Sequence, residues 1–119
     1  MKIINPSILL IILFSVSSCS NDSSSDLTGL DKNIPLTYNN TIRFITASNC
    51  IECHKDPPIN GAPMPLLTYE NVKNAILTRG LINRISSTDP NFSMPFGRPR
   101  LPQDKIDQIK KWADEGFPE

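Results

Sequence analysis

Cys50-Ile51-Glu52-Cys53-His54 lies near the middle of this 119-residue chain and places two thiols and the sole histidine within five positions. Two intervening residues set the cysteines about one turn apart, so both can reach one edge of a planar group. The histidine that follows projects its imidazole to the same side. Cys-x-x-Cys-His is the spacing at which c-type haem is attached, through thioethers to its two vinyl groups, with the neutral imidazole ligating iron. Other chemistries use parts of this set. A zinc site needs a fourth ligand, and Cys19 is the one cysteine left. A thioredoxin-type pair needs a βαβ setting. A structural Cys50–Cys53 disulfide leaves His54 without a task. A chance occurrence in so short a chain is on the order of one in a thousand. One covalent haem c on Cys50 and Cys53, with His54 on the iron, is the expectation.

Upstream of the motif, the segment from about residue 40 has helical spacing. Asn40 is a candidate cap, and Ile42, Ile45 and Phe44 are candidates for its inward face. Downstream, Pro57, Pro58, Pro63 and Pro65 forbid regular structure. Thr68 is the expected N-cap of a second helix reaching Arg79, with Val72, Ala75 and Ile76 on one face and Gly80 at a left-handed exit. Leu81–Ile85 add a short helical turn. Pro90, Pro95, Gly97 and Pro99 mark another irregular stretch. The last helix begins near Pro102, with Asp104 in its first turn and Lys110 and Lys111 toward its end, as the helix dipole favours. Ile106, Ile109, Trp112 and Ala113 share a face, and Gly116 and Pro118 end it. No segment reads as a convincing strand. The fold class expected is all-α, with three to four short helices packed around one haem.

The amino end has a different character. Lys2 precedes the apolar run Ile8-Leu9-Leu10-Ile11-Ile12-Leu13-Phe14, which is too short to span a bilayer. Val16-Ser17-Ser18-Cys19 follows and resembles a bacterial lipobox, with Val16 in the place usually taken by Leu. The resemblance implies a signal peptide over 1–18, cleavage before Cys19 and a lipid on its sulfur. Residues 19–39 are polar, rich in serine, and read as a flexible lipidated tether with a mean span of roughly 24 Å. The compact domain is then 40–119. The three cysteines are all used: one for lipid and two for haem. Ser20 leans toward the outer membrane, on the periplasmic side.

The sixth iron position is the open point in this reading. With no second histidine, a thioether is the common partner. Met94 lies in the irregular stretch before the last helix. Met64 lies ten residues after His54 and could also reach if extended. Either could instead be a core residue.

Residues 40–119 resemble a compact class I cytochrome c domain of the short bacterial kind. The resemblance rests on Cys50–His54, Leu67-Thr68-Tyr69-Glu70-Asn71-Val72, Met94-Pro95 and Ile109-Lys110-Lys111-Trp112-Ala113-Asp114-Glu115-Gly116-Phe117-Pro118. The family's ending is typically Trp-Ile-Asp-x-Gly-Ala-Pro; this chain has Ala113 and Phe117 instead, a mild divergence in packing positions. The resemblance implies that Met94 is the distal ligand and that a proline carbonyl, Pro63 or Pro65, accepts from His54. It also implies that the first and last helices cross with Phe44 near Trp112. The implied activity is one-electron transfer to redox partner proteins at the membrane, with no small-molecule substrate. The alternative is a haem enzyme or gas sensor with an open sixth site. Twelve basic and 12 acidic residues give no net charge, which does not suggest a nucleic-acid binder. Lys73, Arg79, Arg84, Arg98 and Arg100 outnumber Asp89 between residues 73 and 100, and are candidates for propionate pairing or partner docking.

Overall fold

Residues 34–119 are described in the computed structural model of this protein. The expected signal peptide, lipidation at Cys19 and tether up to residue 33 lie outside the described residues. A π-helical turn, Tyr38–Ile42, runs directly into helix α1, Arg43–Asn49; α2 is Tyr69–Arg79, α3 Leu81–Ser86 and α4 Gln103–Asp114. No strand occurs among the described residues, and this part of the chain is all-α.

The first helical segment starts earlier than its sequence suggests. Thr37 is the cap: its hydroxyl accepts from the Asn40 N–H at 3.2 Å, and the Asn40 carboxamide oxygen accepts from the Thr37 N–H at 2.9 Å. Asn40 therefore closes a capping box from the third position rather than capping the helix itself. The shift brings Tyr38 into the core. Phe44 does not enter it and is 56% exposed, with the Arg43 guanidinium over its ring. At about 100° per residue Phe44 lies roughly 200° round the helix from Ile42. The inner face is instead Ile42, Ile45 and Thr46, whose hydroxyl donates to the carbonyls of Ile42 and Arg43 and so enters the core satisfied.

Helices α2 and α3 form as their sequence requires. Thr68 and Asn71 make a second capping box, and Gly80 leaves α2 at φ 66°, a left-handed conformation that costs a residue without Cβ little. Pro102 stands one place before α4, as its N-cap, and Ile106, Ile109 and Trp112 are buried along one face.

The π-helical turn packs on α4, and α3 packs on α4 and α2. At this junction Trp112 is fully buried, with ring centroids of Phe117, Tyr69 and Tyr38 at 5.0, 5.8 and 6.0 Å. The ring facing Trp112 from the first segment is thus Tyr38, in the role expected of Phe44. The Pro118 carbonyl accepts from both the Trp112 indole N–H at 2.7 Å and the Tyr38 backbone N–H at 2.9 Å, joining the two ends of the unit. This leaves the opposite side, between the end of α1, α3 and the loop before α4, free to form a cleft.

Candidate functional site

Helix α1 ends at Asn49, and Cys50 follows as its cap, donating its N–H to the Thr46 carbonyl at 2.8 Å. The Cys50 carbonyl then accepts from the N–H groups of Cys53, at 3.3 Å, and His54, at 3.0 Å. One acceptor holding two successive donors winds the five-residue motif into a single turn. Both thiols are free, and Cys50, Cys53 and His54 all line the same cleft.

His54 is 9% exposed and held from three sides. Its carbonyl accepts from the Leu66 N–H at 2.8 Å, which brings the proline-rich loop back beneath the ring. Its Nδ1 lies 2.7 Å from the Met64 carbonyl. A carbonyl can only accept, so Nδ1 carries the hydrogen; in the neutral ring Nε2 is then the nitrogen with the lone pair that a metal would take. The carbonyl belongs to Met64, not to Pro63 or Pro65. The prolines act indirectly: Pro65 restricts Met64 to extended backbone, which presents that carbonyl to the ring.

The cleft has a volume of about 460 Å³, the size of small-molecule and cofactor sites. Leu66, Ile85 and Leu101 supply apolar wall, and Met94, Pro95 and Phe96 line it from the loop before α4. Asp89 builds the first half of that loop. Its carbonyl accepts from Phe92 and Ser93, and its carboxylate from the Asn91 N–H at 2.9 Å. Met94 then donates its N–H to the Arg84 carbonyl on α3 at 3.0 Å. The two methionines therefore separate. Both rest partly buried against the core, but Met94 also lines the cleft, whereas Met64 is absent from its walls.

Burial pushes the Cys50 thiol up to about 11, so this sulfur is held uncharged. A neutral thioether meets the same surroundings without that cost. Among the described residues, no His, Cys, Asp or Glu forms a group of three that could hold a metal ion. The donor set along the cleft is two thiols, an imidazole with one free nitrogen, and a thioether. Those donor types fit a covalently attached haem with two axial ligands.

Of the five basic residues between 73 and 100, Arg84 and Arg98 line the cleft. Lys73 sits over the rings of Tyr69 and Phe117, and Arg100 donates to the Ser86 carbonyl and the Gln103 carboxamide. Arg98 pairs with Glu52, the third residue of the Cys-x-x-Cys-His turn, which ties the Met94 loop to the turn that carries the thiols. Asn60 donates toward the Cys53 sulfur at 3.5 Å. The Arg98–Glu52 contact is not signalled by local sequence, because it joins segments 46 positions apart.

No family model matches the chain, and no solved structure matches it. Among curated proteins it is similar to the phosphoenolpyruvate carboxykinase (ATP) of Rhodopseudomonas palustris (strain BisA53), at 29% identity over 93 residues. The similarity covers 68% of this chain, which spans 17% of the length of that enzyme.

Proposed function

We propose that this chain is a monohaem c-type cytochrome that carries single electrons at a membrane surface, with the compact class I fold around its haem. The observation that carries the reading is the shared cleft. Cys50, Cys53 and a buried His54 with a free Nε2 line it together with Met94. Bound haem would supply a one-electron couple. Cys50 and Cys53 would fix its edge and His54 and Met94 its axial positions. The Met64 carbonyl fixes the tautomer and orientation of the His54 ring. With haem bound, the Met94 thioether would favour the reduced iron and would keep oxygen, peroxide or carbon monoxide from binding to it. Leu66, Ile85 and Leu101 would lay apolar wall against the haem. No acid–base pair is needed for such a role, because no substrate is transformed.

Membrane attachment rests on the sequence around Cys19: export, cleavage before Cys19 and a lipid there would hold the domain on the periplasmic side, near its redox partners.

Spectroscopy tests the haem assignment. Haem should stay with the polypeptide through denaturation and acid-acetone extraction, because thioethers survive both. The ferric protein should show the weak far-red band of sulfur–iron ligation, and the reduced protein should bind carbon monoxide poorly. Met94→Ala should erase the band and lower the potential, whereas Met64→Ala should leave the spectrum unchanged. Extractable haem sinks the assignment. Covalent haem with no such band and ready carbon monoxide binding moves the haem enzyme or sensor reading ahead. Cys19→Ala should release the protein from membranes and abolish lipid labelling; persistent membrane association refutes the lipid anchor.

A further inference from the structure

The loop that carries Met94 has few apolar anchors of its own. Phe92 is 41% exposed and Phe96 is 68% exposed. Farther along, Arg98 pairs with Glu52 and Arg100 donates to the Ser86 carbonyl, and Met94 packs partly buried on the core; around Phe92 and the Met94 backbone the hold is one residue of α3, Arg84. The Arg84 carbonyl accepts from the Met94 N–H at 3.0 Å. The Arg84 Nη1–H donates to the Phe92 carbonyl at 3.4 Å, and the guanidinium carbon lies 4.2 Å from the Phe92 ring centroid. Arg84 is half-buried on α3 and forms part of the cleft wall beside Ile85. A planar cation over a ring, with one of its N–H groups on the same residue's carbonyl, fixes both the side chain and the backbone two places before Met94.

We propose that Arg84 is the positioning residue for Met94. By clamping Phe92 it keeps the Met94 sulfur turned into the cleft, and so sets how often the sixth position opens. This rests on the cytochrome reading and extends it to a residue that would not touch the iron. A charge role is the competing account for an arginine in the cleft wall, and the two differ in what Phe92 should do. A counter-charge needs the guanidinium and not the ring; a clamp needs both.

The expected size follows from the contact. A stacked, hydrogen-bonded guanidinium–aromatic pair is worth about one tenfold change in an equilibrium, or ~1.4 kcal/mol. Carbon monoxide binds only where Met94 has left, so its apparent affinity scales with the detached fraction. In the haem-loaded full chain, reduced Arg84→Ala should bind carbon monoxide about tenfold more tightly than wild type. The ferric far-red band should weaken and the covalent haem content should stay unchanged. Phe92→Leu, which keeps the charge of Arg84, should move both readouts the same way. The double variant should go no further than Arg84→Ala alone, since the two side chains act as one unit.

The proposal is overturned if Phe92→Leu matches wild type in both readouts while Arg84→Ala alone shifts the potential and Arg84→Lys restores it, which is the pattern of a charge. It is also overturned if both single variants keep the wild-type band and carbon monoxide affinity. Those outcomes leave the cytochrome reading standing. A wild-type protein with covalent haem and no band overturns this inference and moves the haem enzyme or sensor reading ahead, whereas extractable haem removes the cytochrome reading itself. Should Arg84→Ala fail to fold, Phe92→Leu decides the matter by itself.

Discussion

Trp112→Phe probes whether the aromatic junction between the two ends of the unit holds it together. Trp112 is fully buried and its indole N–H donates to the Pro118 carbonyl at 2.7 Å. Phenylalanine loses that bond, worth about 0.5–1.5 kcal/mol net. The lower part of that range applies, because the carbonyl keeps the Tyr38 N–H as a partner and is not orphaned. The smaller ring also leaves a void among Tyr38, Tyr69 and Phe117, worth about 1 kcal/mol at the usual cavity cost. The sum is about 1.5 kcal/mol, against a stability on the order of 4–13 kcal/mol for a unit the size of Ile34–Glu119. The variant should therefore fold, with a midpoint lower by roughly 6–12 °C. Urea unfolding of the haem-loaded protein followed by circular dichroism gives the difference, and an unchanged slope shows that the same surface is exposed. Trp112 lines no part of the cleft, so the haem spectrum should not change. Trp112→Ala should cost about 3–5 kcal/mol. A Trp112→Phe protein within 0.5 kcal/mol of wild type, or one as unstable as Trp112→Ala, refutes this account of the junction.

Thr68→Ala should cost about 1 kcal/mol in the same assay, since it removes the side-chain half of the α2 capping box; no loss means that the cap is not formed in solution. Cys50→Ser together with Cys53→Ser should abolish cooperative unfolding, because a small core that opens on a cleft has little apolar burial to spare; a sharp unfolding transition in that double variant contradicts it. Glu52→Gln should change stability by less than about 1 kcal/mol, because both members of the Glu52–Arg98 pair are more than half exposed; a cost above 2 kcal/mol, tested at low and high salt, shows a pair far better shielded than this.

The parts of this fold that are legible in the sequence are those set by neighbours in the chain. Thr68, Asn71 and Gly80 delimit α2 because a capping box and a left-handed exit involve residues within one turn of each helix end. The motif turn at Cys50–His54 is legible for the same reason. Phe44 and Tyr38 are not. Which aromatic faces Trp112 depends on where the first helical segment begins, and that is fixed by Thr37, in a stretch whose polar composition reads as tether. Thr46 is buried against its residue type because two carbonyls of its own helix satisfy the hydroxyl. In the cleft, Arg84 and Glu52 are illegible as local signals. Their partners stand eight and 46 positions away, and only the folded chain brings them together.

The same long-range geometry separates the two methionines, which loop length alone does not. Nδ1 and Nε2 lie on different edges of the imidazole, and Met64 is bound by its carbonyl to the Nδ1 edge. A residue held there sits behind the ring that would face the iron with Nε2. For its sulfur to reach the far side of a haem, the bond that orients His54 would have to break first. Met94 has no such conflict, since its loop is anchored to α3 and lines the cleft from another segment of the chain. Met64 should therefore not take over in Met94→Ala, and that variant's sixth position should be filled by water or added ligands. A sulfur–iron band that persists in Met94→Ala and vanishes when Met64→Ala is added would show that the Nδ1 bond yields more readily than a 2.7 Å contact implies.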